Sequence, residues 1–354
     1  MSVFLHGLAT ALPPHCLTQS EVRERAGIIF GGKYPQFDRL SKSFATAGID
    51  RRYSVVPIDW FSQDHGWVDR NVAFMAGAKA MFLDAANAAL LDAGWRSDEV
   101  DVVVTVSSTG IATPTLEAQV FGEMGFRDDI MRVPLFGLGC AGGVTGLSVA
   151  QTLARGQAGA KVLLVVIETC SLSFRADRLQ KADIIATALF GDGSAAACLS
   201  SERPSGRATV EFGQGYQKIW PDTLAIMGWD VDEAGFGVVF DRSIPAFVTA
   251  EFAGATQGAL DSAKLSHEQI DRYVCHPGGA KVVEAIEGAL HLPQGSLDAE
   301  RDTLRAAGNM SAPTVMFVMK AVLDAGQTGQ MMSCALGPGF TASYLPFHVT
   351  VEAA

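Results

Sequence analysis

The sequence is poor in positive charge. Its 27 lysine and arginine residues are outnumbered by 38 aspartate and glutamate residues, which gives a formal net charge of −11, and charged residues make up only 18% of the chain. Proteins whose main partner is a nucleic acid or an anionic membrane carry an excess of basic residues. The composition therefore argues against these partners, although a local basic patch can still bind phosphate groups.

Long apolar runs are also missing. No uninterrupted apolar stretch reaches the ~18 residues typical of a membrane-spanning helix. The N-terminal residues MSVFLHGLATALPPH lack the charged start of an export signal. We therefore expect a cytoplasmic protein without stable membrane insertion. Hydrophobic residues still make up 48% of the 354 residues, enough to bury the large core of a soluble enzyme.

The cysteines form no metal-binding or disulfide pattern. They are scattered through a long chain, and no two have the CxxC spacing of a zinc or redox site. The six are Cys16, Cys140, Cys170, Cys198, Cys275 and Cys334. We expect reduced thiols and no metal site.

One of these thiols, that of Cys140, occupies a reactive position. VPLFGL, from Val133, has the pattern of a short buried strand, and small and apolar residues recur at helical spacing from Val144 to Gly156. Cys140 is thus predicted on the glycine-rich turn between strand and helix. Unpaired N–H groups at a helix start favour a thiolate and lower the thiol pKa from its ordinary value of about 8.5. A buried structural cysteine is the alternative, but the surrounding glycines favour a nucleophile.

Internal repeats show that the chain is a duplication. Three segments occur twice, in the same order. SDEVDVVVTV, from Ser97, corresponds to HEQIDRYVCH, from His267, and GLGCAGG, from Gly137, corresponds to AAGNMSA, from Ala306. FGDGSAAACL, from Phe190, corresponds to LGPGFTASYL, from Leu336. We predict one half over residues 1–203 and a second over 204–354. Each half alternates helices and strands, which predicts an α/β fold with sheets covered by helices on both sides.

The duplication assigns two further residues to the site of Cys140. His276 ends the buried strand of DRYVCHPGG, where Pro277 stops the strand and holds His276 extended. Asn309 is the positional twin of Cys140. A pseudo-twofold axis between the halves would bring thiol, imidazole and amide together where the halves meet.

These three groups suit carbon–carbon bond formation. Cys140, ion-paired with His276, can accept an acyl group as a thioester. His276 and Asn309 can donate N–H groups to a second thioester and stabilise the enolate that forms when it loses carbon dioxide. An amide is not a base at neutral pH, so decarboxylative condensation is favoured over hydrolysis.

The motifs together resemble those of the type III polyketide synthases, the chalcone and stilbene synthase family. The match covers essentially the whole chain and consists of GLGCAGG around Cys140, ALFGDG ending at Gly193, CHPGG from Cys275, GNMSAP from Gly308 and GPG from Gly337. The resemblance implies the thiolase fold, with five layers (αβαβα) and two pseudo-twofold-related halves. It also implies a homodimer, acyl-CoA and malonyl-CoA as substrates, and no cofactor.

The resemblance also implies roles for individual residues. Cys140 would carry the acyl group, His276 and Asn309 would promote decarboxylation, and Phe190 would be a gate between the coenzyme A tunnel and the cavity. The residues implied to line the cavity are Ser108, Thr113, Cys170, Ser173, Val238, Ser311, Gly337 and Pro338.

Two departures from the family pattern bear on the substrate. A second phenylalanine gate is replaced by Val238, and the usual GFGPG loop reads ALGPG. A smaller gate implies room for a long apolar starter, so we expect a fatty acyl-CoA to be extended to an alkylpyrone or alkylresorcinol. The family's coenzyme A-binding cations have no clear match among Lys33, Arg39, Lys42, Arg51 and Arg52, which form either a solvated face or a phosphate clamp.

Two other functions stay open. Ketoacyl synthase III has the same three residue types on the same fold, but it needs an acyl carrier protein and stops after one condensation. Its motifs typically read HQAN and GNTS, whereas this chain has HPGG and GNMS. A non-catalytic thiolase-fold scaffold would bind acyl-CoA without chemistry, and the intact Cys140, His276 and Asn309 argue against it.

Overall fold

The computed structural model describes residues 1–178 and 180–351. Leu179, in the segment that only the first half contains, and residues 352–354, at the end of the predicted second half, lie outside this part. The strands are β1 (Val3–Ala11), β2 (His15–Thr18), β3 (Arg51–Ser54), β4 (Val102–Val106), β5 (Met131–Leu135), β6 (Val162–Thr169), β7 (Asp192–Ser200), β8 (Thr209–Phe212), β9 (Tyr216–Ile219), β10 (Met227–Asp232), β11 (Gly235–Phe240), β12 (Arg272–Cys275), β13 (Gly329–Gly337) and β14 (Thr341–Thr350).

Helices alternate with these strands along the chain. They are α1 (Gln19–Phe30), α2 (Phe37–Leu40), α3 (Lys42–Thr46), α4 (Trp67–Ala93), α5 (Leu116–Gln119), α6 (Phe121–Met124), α7 (Gly142–Gly156), α8 (Lys181–Leu189), α9 (Ile244–Ala263), α10 (Ala280–Ala289), α11 (Asp298–Ala307) and α12 (Thr314–Asp324). Short 3₁₀ turns precede several strands and helices, among them Ser97–Glu99, Gly139–Ala141 and His267–Gln269.

One mixed sheet runs through the molecule. Its strand order is β12-β13-β14-β8-β1-β7-β6-β4-β5, with β9 added beside β14. In the first half β4 and β6 are parallel and β7 and β1 follow antiparallel. In the second half β12 and β13 are parallel and β14 and β8 follow antiparallel. The same strand pattern thus occurs twice, and the two copies meet where β1 pairs with β8.

Helices cover both faces of each half-sheet because the central strands are apolar on both sides. On β6, Leu163, Val165 and Ile167 pack with α4, whereas Val162, Leu164 and Val166 pack with α7 and α12. This alternation is the period of two of a strand, and it explains the uninterrupted apolar runs in the sequence. Helices α9 and α10 cover the far face of the second half. The five layers are therefore α4, half-sheet, α7 with α12, half-sheet, and α9 with α10.

The predicted duplication is confirmed at the level of single hydrogen bonds. The Asp101 carboxylate accepts a bond from the Lys161 N–H at the start of β6, 2.8 Å away, and the Asp271 carboxylate accepts one from the Gln330 N–H at the start of β13, also 2.8 Å away. The two aspartates therefore make equivalent hydrogen bonds in the two halves. The division after residue 203 stays a prediction, because one continuous sheet joins the halves.

Strand β5 differs from its prediction. VPLFGL was expected to form a buried strand, but β5 ends at Leu135 and most of its side chains are exposed, with Met131 54% and Phe136 60% accessible. The reason is that β5 is an edge strand, paired only with β4. Its Pro134 is compatible with an edge position, where a missing N–H is tolerated.

Helix α4 is long and apolar enough to cross a membrane by length and composition alone. In the fold, however, its apolar residues Phe74, Ala78 and Phe82 are buried in the first-half core. A core helix of a globular protein passes the same test, so α4 gives only weak evidence for a membrane span.

Candidate active site

The nucleophile turn has the predicted form. Cys140 lies in the 3₁₀ turn Gly139–Ala141 directly before α7, and it is buried. Gly139 has a φ of +47°, and a Cβ there would lie 2.6 Å from Pro338 of the second half. A Cβ on Gly143 would lie 2.2 Å from the carbonyl oxygen of Ala312. These two glycines therefore allow the second half to pack directly on the turn that carries the thiol.

The prediction that the pKa of Cys140 is lowered is wrong for the site without substrate. Burial raises the pKa of the thiol to about 12, because a thiolate loses its hydration there. A hydrogen bond from the Ser311 side chain and the Cys140 N–H act in the opposite direction but are weaker, and the Glu168 charge raises the pKa further. The helix start is present as predicted, but desolvation is the largest cause of the pKa shift.

His276 follows the last residue of β12, and its backbone N–H donates to the Cys334 carbonyl at 2.8 Å. The side chain is buried, and neither ring nitrogen has a hydrogen-bond partner among the described residues. Burial lowers the pKa of His276 to about 3, so the imidazole is neutral at physiological pH. The predicted resting ion pair between Cys140 and His276 is therefore not found, and a neutral imidazole, able to accept a proton, stands in its place.

The amide of Asn309 is held in one orientation. Its Oδ1 accepts a bond from the Ser311 N–H at 2.8 Å, and its Nδ2 donates to the Gly278 carbonyl at 3.0 Å. One Nδ2 hydrogen is left over. The backbone of Asn309 is fixed as well, because its N–H donates to Leu189 O at 2.9 Å and its carbonyl accepts from Gly191 N at 3.0 Å.

Cys140, His276 and Asn309 line one narrow cavity of about 20 Å³. It adjoins, through the shared wall residues Cys140, Met227 and Phe240, a chamber of about 280 Å³ whose lining also includes the exposed Phe136 and Val231. It connects outward, through Phe240 and Gly278, with an entrance of about 530 Å³ at the surface. The fold therefore brings the three predicted side chains together in one cavity, which adjoins both the entrance and the chamber.

Most of the predicted lining residues line the chamber of about 280 Å³. They are Ser108, Cys170, Phe190, Val238, Ser311 and Pro338. Ser173 lines an adjoining apolar pocket that shares Cys170 and Phe190 with the chamber. Two predictions are wrong for the single chain: Thr113 is exposed and outside the chamber, and Gly337 packs against Ala141 instead of facing the chamber.

The smaller gate at Val238 stays a prediction: Val238 lines the chamber as expected, and a phenylalanine that the prediction did not name, Phe240, lies beside Phe190. The two phenylalanine rings meet edge to face, with centroids 6.5 Å apart. Val238 and Phe240 are two residues apart on β11 and line the same chamber. The alternation of side chains along this strand, in the segment GFGVVF, was the signal that could have identified Phe240.

Arg52, one of the predicted phosphate-clamp candidates, has a structural role. It is buried, and its guanidinium donates to the carbonyls of Thr187 at 2.6 Å, Ala188 at 2.9 Å and Phe190 at 3.1 Å. These carbonyls end α8 and carry its negative dipole end. Arg52 therefore holds the backbone of the gate and is not available to a phosphate group.

Glu168 is a buried acid that sequence reasoning missed. Its Oε2 accepts bonds from the Ser108 N–H at 2.9 Å and the Thr109 hydroxyl at 2.8 Å, while Oε1 has no partner among the described residues. Burial raises the pKa of Glu168 to about 8. It lies at the end of the apolar run of β6, where only the final polar residue marks it in the sequence.

Replacement of Glu168 by glutamine should speed the alkylation of Cys140 at high pH. The Glu168 charge opposes ionisation of the thiol, and because the pKa of Glu168 is about 8, this charge exists mainly above that pH. We expect E168Q to react with iodoacetamide several-fold faster than the wild type about one pH unit above this pKa, and equally fast about two units below it. The exposed Glu123, replaced by glutamine, is the control. Equal alkylation rates at the higher pH would show that the Glu168 charge does not affect ionisation of the Cys140 thiol.

The fold and the site together define a condensing enzyme of the thiolase fold. The family description "Chalcone and stilbene synthases, N-terminal domain" matches residues 67–203, and the C-terminal domain of the same family matches residues 211–351. The chain belongs to this family, the type III polyketide synthases. These enzymes use coenzyme A thioesters in decarboxylative Claisen condensations and need no metal or other cofactor.

Individual relatives agree with this assignment. A 1,3,6,8-tetrahydroxynaphthalene synthase of Streptomyces peucetius subsp. caesius is 35% identical over 95% of this chain and 90% of its own length. The alpha-pyrone synthesis polyketide synthase-like Pks18 of Mycobacterium tuberculosis is 25% identical over 98% of this chain and 91% of its own. The crystal structure of 1,3,6,8-tetrahydroxynaphthalene synthase from Streptomyces coelicolor superposes with a TM-score of 0.92 at 26% identity, covering 99% of this chain and 100% of that one.

Proposed function

We propose that this polyketide synthase loads a fatty acyl group from coenzyme A onto Cys140, extends it with several malonyl units and releases an alkylpyrone or alkylresorcinol. The observation that carries the proposal is the shared cavity of Cys140, His276 and Asn309, which adjoins a basic entrance and a mainly apolar chamber. The name of the Mycobacterium tuberculosis relative, which refers to alpha-pyrone synthesis, supports the product class.

In the loading step, Cys140 is the nucleophile and His276 the base. The thiol attacks the acyl-CoA carbonyl and passes its proton to the neutral imidazole, coenzyme A leaves as a thiolate, and His276 returns the proton to it. The high thiol pKa is compatible with this order, because the proton leaves as the carbon–sulfur bond forms. The product is an acyl thioester on Cys140.

In the extension step, His276 and Asn309 act on malonyl-CoA. The free Nδ2 hydrogen of Asn309 and the single N–H of neutral His276 are donors for its thioester oxygen. The bond to the carboxylate breaks, carbon dioxide leaves, and the electron pair becomes an enolate held by these donors. The enolate carbon attacks the acyl thioester, a carbon–carbon bond forms, and Cys140 leaves as a thiolate. Transfer of the lengthened chain back to Cys140 starts the next round.

The entrance is suited to the phosphates of coenzyme A. Three exposed cations line it, Lys181, Arg242 and Lys281, and none of them forms an ion pair with another described residue. The Asp241 carboxylate is the only acidic side chain of the entrance among the described residues. The N-terminal basic residues gave no clear phosphate contacts. In this proposal Lys181 of α8 and Arg242 and Lys281 of the second half make these contacts instead.

Charge reversal at Lys281 should weaken the binding of coenzyme A thioesters. For K281E we expect KM for malonyl-CoA to rise about tenfold with little change in kcat, because the phosphates lie far from the reacting carbonyl. The matched substrate is malonyl-N-acetylcysteamine, which lacks the phosphates and should show an unchanged KM. A rise in KM for both substrates would contradict an electrostatic role of Lys281.

Product analysis tests the proposed function. The purified protein is incubated with radiolabelled malonyl-CoA and saturated acyl-CoAs of graded length, without a carrier protein, and products are identified by mass. We expect alkylated products only when a long acyl-CoA is present. Aromatic products from malonyl-CoA alone would overturn the starter assignment and indicate an activity like the one for which the Streptomyces relatives are named. A single condensation that requires an acyl carrier protein would indicate the ketoacyl synthase III alternative.

We further propose a cytoplasmic homodimer, with the exposed edge strand β5 and the loop before α5 in the interface. The loop contributes Ile111 and the exposed Thr113, and β5 is flanked by the exposed Phe136. Exposed apolar side chains such as those of Ile111 and Phe136 are compatible with a protein interface at this edge. Light scattering is expected to return the mass of two chains, and the mass of one chain would contradict the proposal.

A further inference from the structure

Two buried thiols lie side by side next to His276. Cys275 ends β12, and Cys334 is its register partner on the parallel strand β13. Both are free cysteines, and the Cys334 thiol donates to the Cys275 sulfur at 3.0 Å. The two residues are 59 positions apart in the sequence, so only the pairing of the two strands brings their side chains together.

The geometry of the pair fits a disulfide. Register partners on neighbouring strands have Cα atoms about 4.8 Å apart, and disulfides join residues whose Cα atoms are about 4.4–6.8 Å apart. The sulfur atoms have to approach by only about 1 Å, from 3.0 Å to the bond length of about 2.05 Å. Because the two side chains already leave the sheet on the same face and touch, neither strand has to change register for the bond to form.

The pair is connected to His276 through the backbone in two ways. Cys275 is the residue before His276, and the His276 N–H donates to the Cys334 carbonyl at 2.8 Å. A bond between the two sulfurs therefore pulls together the two backbone segments that hold the imidazole. Misplacement of a reacting group by about 1 Å can cost about 10²-fold in rate.

One of the two thiols is reached from the site. Cys334 lines the cavity of Cys140, His276 and Asn309, whereas Cys275 is not among the residues of its wall. Burial raises the pKa of Cys275 well above the ordinary value of a thiol, which disfavours direct attack by this residue on an oxidant. A small oxidant that enters the cavity therefore meets Cys334 first, and Cys275 is in position to react with the product.

We propose that Cys275 and Cys334 form a reversible disulfide that inactivates the site when hydrogen peroxide enters the cavity. The Cys334 sulfur attacks peroxide, the O–O bond breaks, and a sulfenic acid and water result. The Cys275 thiol then attacks the oxidised sulfur: the S–S bond forms, the S–O bond breaks, and the leaving hydroxide takes up the thiol proton as water. The net reaction oxidises two thiols to a disulfide and reduces one peroxide to two waters. The disulfide is independent of the function proposed above, but the loss of activity rests on it.

The test uses the full-length Cys140→Ala enzyme, so that oxidation of Cys140 itself does not contribute. The protein is treated with hydrogen peroxide, free thiols are blocked with iodoacetamide under denaturing conditions, and peptides are mapped by mass. We expect a peptide pair joined through Cys275 and Cys334. We also expect the rate of malonyl-CoA decarboxylation to fall at least about tenfold. Dithiothreitol should reverse both changes.

Two variants in the same background each remove one sulfur, Cys275→Ala and Cys334→Ala. Neither can form the linked pair, so each should keep the decarboxylation rate of its own reduced form after peroxide treatment. Thermal melting shows which of them is folded, and either one suffices. Cys198→Ala, which removes another buried thiol, is the matched control and should be oxidised and inactivated like the parent enzyme.

The outcomes separate this inference from the proposed function. Recovery of both Cys275 and Cys334 as alkylated thiols after peroxide treatment would overturn the disulfide. A linked pair without loss of decarboxylation, or an equal loss in the single-sulfur variants, would overturn its effect on the site. If the Cys140→Ala enzyme does not decarboxylate, the rates are compared between the wild type and Cys275→Ala. A reduced wild type without this activity would refute the proposed function, and the peptide map would still decide the disulfide.

Discussion

A Cys140→Ala enzyme will form neither an acyl-enzyme nor a polyketide, but it will still release carbon dioxide from malonyl-CoA. Cys140 and Cys334 both line the cavity of His276 and Asn309, but Cys140 lies in the turn directly before α7, where the nucleophile is predicted. Without it no thioester can form on the protein, so we expect product formation to fall by at least about 10³-fold. Decarboxylation needs only the donors on His276 and Asn309, and these are unchanged.

Two measurements check that Cys140 is needed for loading of the starter and is not needed for decarboxylation. Intact-protein mass after incubation with acyl-CoA reports the thioester, and release of labelled carbon dioxide reports decarboxylation. Cys198→Ala is the matched control, because Cys198 is an equally buried thiol on β7 within the core cluster. Full polyketide yield from the Cys140 variant would refute the nucleophile assignment, and loss of both activities would show that decarboxylation also depends on the sulfur.

An Asn309→Asp enzyme will load its starter but fail to extend it. The substitution keeps the size of the side chain, yet it replaces an N–H donor by an anionic oxygen at the position where the enolate charge develops. It also loses the Nδ2 bond to the Gly278 carbonyl. Removal of one such donor typically costs 10²–10³ in kcat, and the added charge places the expected loss of decarboxylation at the upper end of this range.

The loading step provides the internal reference for this prediction. Intact mass should show acylation of Cys140 at a rate within a few-fold of the wild type, because His276 accepts the proton in that step. Asn87→Asp, an exposed asparagine on α4, is the matched control. Decarboxylation of malonyl-CoA by the Asn309→Asp enzyme at the wild-type rate would show that Asn309 has no role in this step.

The sequence predicted the positions of the three site residues because these depend on a repeated backbone pattern. The two halves place the same turn before β4 and β12, at Ser97–Glu99 and His267–Gln269, and the same aspartate after it. Register in a buried sheet is set by local periodicity, so the ends of equivalent strands could be located without coordinates. The meeting of Cys140, His276 and Asn309 follows from that symmetry.

The properties that failed to be predicted depend on neighbours distant in sequence. The pKa of Cys140 follows from complete burial, which the packing of Ala312 and Pro338 on the turn produces. The pairing of Phe190 with Phe240 and the burial of Arg52 beneath α8 likewise join segments far apart in the chain. The exposure of β5 follows from its edge position in the sheet, for which Pro134 was a signal within the strand itself.

The backbone bridge between Asn309 and the residues flanking Phe190 limits how substrates enter. Both peptide groups beside Phe190 are bonded to Asn309, so the main chain at Phe190 cannot move away without displacing Asn309. Any opening of the chamber at Phe190 is therefore expected to occur by rotation of its benzyl group, without movement of the main chain. Such side-chain rotations are much faster than typical enzyme turnover, so starters of different length should meet the same oxyanion geometry and differ in affinity more than in chemical rate.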